Sequence, residues 1–424
     1  MDRRNCLSKR LCFLPRSLAR RENRPKRMSL NFQQVYAKIR EIGQTTAARQ
    51  QRLAEVRQRA QAWLQSLADQ NEALRARIER ARTIDPDLRC ALPLAERLDA
   101  CYPPAQEPLP TVLIAADGSQ VAPDHHAPLL YSLLNVGAIV LQTGSGETPQ
   151  VFTDSTLWYE EELYGENGLW SEEVLAQRRD LAERRKLLEL AQAFQGTAPE
   201  ACPLITLTDG PLELWGAKEG SGNEYRRSLE TYLAVLSQLQ AQGAIVAGYV
   251  DKPGADLLVR LLEIGGLEDE KMAEVRSWRP LRGVTDRWLV GQFLRPGCRS
   301  AIFGLQSGSC AHYRNALALH FFYLNVGDER HPYLVRVEIP RWVAEDAPRL
   351  NVLHAALLEQ CRLMGSRPYP YILHRAHEIA VVTFEEQRQV EHMLAVELRR
   401  AGGEVEGESC KQSAKNLPGR LPRP

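Results

Sequence analysis

Apolar positions recur along this chain with two different periods, and the change from one to the other divides it. Across residues 31–83 the spacing is helical: Leu53, Val56 and Ala60, then Leu67, Asn71, Leu74, Ile78 and Ala81, step by three and four. Gly43 is the only glycine there and proline is absent, so a long helix or helical hairpin is expected. Its seam suits either packing on the chain's own domain or contact with a second copy. Prolines at 86, 93, 103, 104, 108 and 110 end this pattern and predict a connector.

From residue 111 short apolar runs alternate with amphipathic stripes. TVLIAADGSQ (111–120) predicts a buried strand that delivers Asp117 into a Gly-Ser turn, and PLITLTDGPL (203–212) repeats the design with Asp209. Residues 129–141 suit one or two further strands. A helix with Ser171 as N-cap is predicted over 171–194, another over 226–242, and a short strand over 244–250 leads into Asp251 and Lys252. Helices over 256–264 and 286–293 and a strand over 301–306 follow, and the apolar stretches 320–326 and 333–339 flank a hairpin signal. After a helix over 347–364 come a short apolar segment at 369–373, the tetrapeptide HRAH at 374–377, and a capping box in which Thr383 and Glu386 open a last helix. Strand, helix and strand in alternation predict a mixed α/β sheet with crossover helices.

Charge refines this division. Residues 1–27 hold ten Lys or Arg against Asp2 and Glu22; removing that +8 from the whole chain's +1 leaves −7 for residues 28–424. A nucleic-acid site in such a body has to be a local basic groove, because there is no general positive field. The Arg-rich start has no apolar run long enough for a secretory signal, and Met28 followed by Ser29 and Asn31, both N-cap candidates, resembles a natural beginning. The expected organisation is a basic extension at 1–27, a helical arm at 28–84, a connector at 85–110, a globular domain at 111–402 and a tail at 403–424. Nine cysteines without a C-x-x-C pair point to a reducing, cytoplasmic setting, and no apolar run reaches membrane-spanning length.

Two acidic strand ends beside tight turns form a frame for a divalent cation, since hard cations take oxygen ligands. Taken singly, Asp117 and Asp209 are ordinary turn residues; as a pair they repel, and a cation would relieve that. Further candidates are Glu183 and Glu189 on the helix before the second strand, Glu189 lying among apolar neighbours where a charge requires a partner. His377 and Tyr369 complete the set.

IAADGSQ (114–120), LTDGPL (207–212), GYVDKP (248–253) and YPYILHRAHEIA (369–380), in this order, resemble the NurA nuclease domain, over roughly residues 30–402. The resemblance implies an RNase H-like core and a metal-dependent DNA nuclease, exonuclease or endonuclease, acting in DNA end processing and double-strand break repair. It further implies Mn²⁺ or Mg²⁺ held by Asp117, Glu189, Asp209 and His377, with Tyr369 alongside; on that match Glu189 is chosen over Glu183 for its apolar flanks and its place just before the second strand, His374 is the rival of His377, and Lys252 is a phosphate contact. It also implies a homodimer working with a HerA-like hexameric ATPase, and the chain has no G-x-x-x-x-G-K-[ST] loop of its own for ATP-driven work. The alternative is a catalytically inactive scaffold subunit that only docks onto such an ATPase.

Overall fold

The structure, a computed structural model, describes residues 30–125, 129–165, 168–195, 202–214 and 222–403. The basic extension at 1–27 and almost all of the tail at 403–424 lie outside these residues.

The chain forms two compact units, Met1–Arg52 and Leu53–Pro424. Helix α1 (Phe32–Leu67) begins in the first. There Asn31 Oδ1 accepts from the Gln34 amide at 3.3 Å, the N-cap role expected of it. Phe32, Val35, Tyr36, Ile39 and Ile42 follow at three- and four-residue steps, and all are exposed.

In the second unit the rest of α1 and α2 (Asn71–Ile84) turn their periodic apolar residues inward; Ala60, Leu64, Leu74, Ile78 and Ala81 are buried. Trp63 stacks on Trp278 with ring centres 5.8 Å apart. Nine strands form one sheet: β1 (Cys90–Pro93), β2 (Val112–Val121), β3 (Tyr131–Gln142), β4 (Gln150–Tyr159), β7 (Leu204–Asp209), β8 (Ile245–Val250), β9 (Phe303–Gln306), β10 (Leu319–Asn325) and β11 (Leu334–Pro340). A two-stranded ribbon of β5 (Tyr164–Gly165) and β6 (Gly168–Leu169) stands apart. The order is β1-β9-β10-β11-β8-β7-β2-β3-β4. Within it, β4-β3-β2 is an antiparallel meander, and β7 and β8 continue parallel to β2. That is the RNase H-like core with helices on the sheet, and the α/β class is as expected.

The helices are α3 (Glu172–Gln195), α4 (Gly222–Ala241), α5 (Leu257–Gly266), α6 (Asp286–Val290), α7 (Arg341–Ala344), α8 (Ala347–Leu363), α9 (Tyr371–Ala380) and α10 (Phe384–Arg400). The box at Thr383 forms as expected: Glu386 accepts from the Thr383 amide at 2.8 Å, and Thr383 Oγ1 from the Glu386 amide at 3.2 Å.

One local reading narrows and two change. The apolar segment 129–141, which suited one or two strands, forms the single strand β3, because Gly137 lies against the Ala380 backbone rather than breaking the ladder. The proline-rich connector contributes an edge strand, β1, on which Pro93 is tolerated because nothing pairs beyond it. The apolar segment at 369–373 is the entry to α9, so HRAH sits on a helix.

Candidate metal centre

Register places the two acidic strand ends side by side. Pairing of β2 with β7 runs in parallel from Val112↔Leu204 to Ala116↔Thr208 and stops there, so Asp117 and Asp209 occupy the next rung on adjacent strands. Neighbouring strands lie about 4.8 Å apart and in-register residues share a face, so the two carboxylates project from the same edge. The carboxyl ends of parallel strands are where open α/β sheets expose their chemistry.

Each letter of the DGS motif has a separate task. Asp117 Oδ2 meets His377 Nδ1 at 2.7 Å. A side chain on Gly118 would come within 2.9 Å of Glu183 Oε1 and collide with Arg179, so only glycine lets α3 bring Glu183 this close. The Ser119 hydroxyl donates to the Ala380 carbonyl at 2.6 Å and accepts from the Val382 amide at 3.0 Å. Asn135 adds a bond to the same carbonyl at 2.8 Å, and a Cβ on Gly137 would strike the backbone of Ala380. The last turn of α9 is thereby fixed against β2 and β3. His377, one turn earlier, is held over Asp117 although its ring remains largely in solvent.

The second motif is clamped as firmly. Gly210 takes φ +102°, open to glycine, and the backbone of Gly248 approaches its carbonyl so closely that a Cβ would sit 2.6 Å away. Leu212 donates its amide to Glu338 at 2.9 Å and accepts the Tyr232 hydroxyl at 2.6 Å. Tyr369 hydrogen-bonds Asp209, and its ring packs edge-on against Tyr249 at 5.6 Å.

Electrostatically the centre is overloaded with negative charge. Glu183 is 5% exposed, and burial pushes its carboxyl up to about 8. Arg184 at 3.1 Å opposes the rise; Asp180 and Asp117 add to it. Asp209 stands open at the strand end but in crowded surroundings. Desolvation raises it first, the Tyr369 hydroxyl works against that, and Asp117 and Asp251 raise it further.

Of the acidic helix residues, Glu183 is the one brought to this edge, and Glu189 is not. Glu189 points to solvent with a side chain 63% exposed and pairs with Lys186 at 2.9 Å. Its apolar neighbours cover the buried face of α3, while Glu189 is on the opposite one. His374 likewise turns away, toward Glu378 at 3.4 Å. Lys252 follows Asp251 at the end of β8 with φ +44°. The sequence reading overlooked Gly118, Ser119, Gly137, Asn135 and Arg179, which position the set; the serine inside DGS was the available signal.

Among the described residues no three His, Cys, Asp or Glu side chains already converge on one point as a finished metal cage. The donor chemistry nevertheless fits a hard divalent cation: three carboxylates and an imidazole are gathered at one strand edge, and two of them, Glu183 and Asp209, are raised first by burial and further by Asp117.

Among solved structures the chain is similar to a NurA crystal structure, with 11% identity, a TM-score of 0.38, and 70% of this chain and 90% of that one covered. NurA with manganese gives 12% identity and a TM-score of 0.33, covering 70% and 91%. The catalytic domain of human Endonuclease V gives 17% and 0.29, covering 76% and 98%. No curated protein matches the chain. The NurA domain model matches residues 111–382, from the start of the first motif strand to two residues past α9. With that match spanning most of its length, the chain belongs to the NurA domain family.

Proposed function

We propose that this protein is a metal-dependent DNA nuclease that hydrolyses phosphodiester bonds, as exonuclease or endonuclease, in DNA end processing and double-strand break repair. The observation that carries the reading is the union, at one strand edge, of Asp117, Asp209 and Glu183 with an imidazole from 260 residues further along. Membership of a nuclease family agrees with it.

Asp117, Glu183, Asp209 and His377 would hold Mn²⁺ or Mg²⁺, which when bound supplies charge stabilisation and a more acidic water. Glu183 takes the place the sequence reading gave to Glu189. The chain's own contribution is geometric: Tyr369 orients Asp209 by its hydroxyl, Ser119 and Gly137 anchor the helix that presents His377, and Arg184 keeps part of Glu183's charge compensated. His377 Nδ1, against Asp117 Oδ2, leaves Nε2 as the ring atom that would face the cation.

The exposed stripe from Phe32 to Ile42 supports a dimer, and the missing P-loop supports a HerA-like hexameric ATPase as the source of movement along DNA. Among the described residues no helix is long and apolar enough to cross a membrane, and a cytoplasmic setting fits the cysteines that are free there.

The test is cleavage of end-labelled DNA with Mn²⁺ or Mg²⁺, with and without the motor. Asp117→Ala protein that still cleaved fully would overturn the assignment. Mn²⁺ titration separates the scaffold reading, since a mere docking subunit binds no metal through these carboxylates.

A further inference from the structure

The acidic body of this chain requires any nucleic-acid contact to be local, and one cleft meets that requirement. It measures about 380 Å³ and is bounded by Arg57, Lys252, Arg287, Trp288 and Tyr333. Three cations line it, and none has a carboxylate partner among the described residues. Arg57 lies over the Trp288 ring at 4.7 Å, and the Lys252 ammonium faces the Tyr333 ring at 5.8 Å. Unpaired cations interleaved with aromatic rings are the means by which proteins hold a single nucleic-acid strand: the cations take phosphates, and the ring faces accept bases.

The cleft adjoins the carboxylate edge. Tyr333 donates its hydroxyl to Asp251 at 2.7 Å, and Asp251 in turn lies close enough to Asp209 and Tyr369 to act on both. Lys252 adopts φ +44° immediately before Pro253, a conformation that L side chains avoid and that a following proline restricts further. Strain of that kind persists where surrounding structure imposes it, and it clusters at ligand sites. Glycine would satisfy the backbone here without strain; a lysine is kept instead.

We infer that this cleft is a subsite for the nucleotide next to the scissile bond, with Lys252, Arg287 and Arg57 holding its phosphate and the Trp288–Tyr333 wall receiving its base. The inference rests on the nuclease reading for the identity of the strand, but the site is defined independently of catalysis. At about 380 Å³ the cleft is matched in size to a single nucleotide.

Binding of fluorescent oligodeoxythymidylate in EDTA, over a range of salt, tests it without any cleavage. Arg287→Ala and Lys252→Gly should each weaken binding by about tenfold and lower the salt slope by roughly 0.7 per lost phosphate contact. Lys252→Gly also relieves the backbone, so its melting temperature should hold or rise, which rules out misfolding as the cause of weaker binding. Wild-type affinity and slope in both variants, or no binding by the unmodified protein, would overturn the subsite. Loss of binding in the variants of a protein that cleaves no DNA with either metal would uphold the subsite while the nuclease reading fails.

Discussion

Two groups of acids in the same unit have opposite surroundings. Asp286 and Glu263 are wholly buried, deeper than any acid of the candidate centre, yet every oxygen there is answered. Asp286 accepts the amides of Leu258 and Val259 at 2.9 and 2.8 Å and the Tyr323 hydroxyl. Glu263 takes Arg260 at 2.9 Å, Arg279 at 2.7 Å and the Leu281 amide at 3.0 Å. Glu183 meets Arg184 and Arg179, but Asp117 and Asp180 both crowd it, and Asp209 faces Asp117 and Asp251 with the Tyr369 hydroxyl as its donor. Depth alone therefore does not mark a functional acid. A surplus of negative charge over available donors does, because it is the condition that a cation relieves.

Mutation should separate the two groups. Glu263→Ala leaves the buried Arg260 without its carboxylate, while Arg279 keeps Asp256, and should cost about 3–5 kcal/mol, seen as a large fall in the urea midpoint. Asp117→Ala should leave that midpoint nearly in place and reduce metal-dependent DNA cleavage by roughly 10²–10³-fold in a single-turnover assay.

A pH titration of stability in EDTA sharpens the contrast. Glu183 is raised in the folded protein to about 8 from an ordinary 4.5, so between those values the native state holds a proton that the unfolded chain has lost. Stability should then fall as pH rises from 4.5 to 8, and Glu183→Gln should gain about 1 kcal/mol or more over wild type at pH 8. Comparing the two proteins cancels the opposite slope expected from His354, which burial lowers to about 4 and which costs stability as pH falls from 6.5 toward that value. A flat difference between the two denaturation series would show that Glu183 is as well satisfied as Glu263.

Smaller effects test the frame around the centre. Ser119→Ala should cost about 1 kcal/mol for its lost hydrogen bonds, and should weaken Mn²⁺ binding in calorimetry because α9 loosens. His374→Ala, on the solvent side of the same helix, should change stability by no more than about 0.5 kcal/mol and leave metal binding unaltered.

Much of this was legible in residue order. Apolar runs ending in Asp-Gly located both central strands, and stripes and caps located α3, α4, α8 and α10, because local periodicity records which face a segment buries. β4 escaped notice: it is an edge strand exposed over most of its length, so no alternation marks it. The choice between Glu183 and Glu189 was equally hidden. The two differ by six positions, and which one points inward depends on how α3 is rolled against Gly118, a contact between segments far apart in the chain. Apolar flanks identified the buried side of the helix but not the direction of each glutamate. The partnership of Asp117 with His377 could be read only through family resemblance, for the same reason.

That partnership also dictates timing. At about 5–20 residues per second a ribosome needs roughly 13–52 s to add the 260 residues that separate Asp117 from its imidazole. The first half of the centre must wait, and the anchoring bonds from Ser119 to Ala380 and Val382 cannot form until almost all of the sheet has been made. A nascent or truncated chain therefore carries the acidic strands without their closing helix.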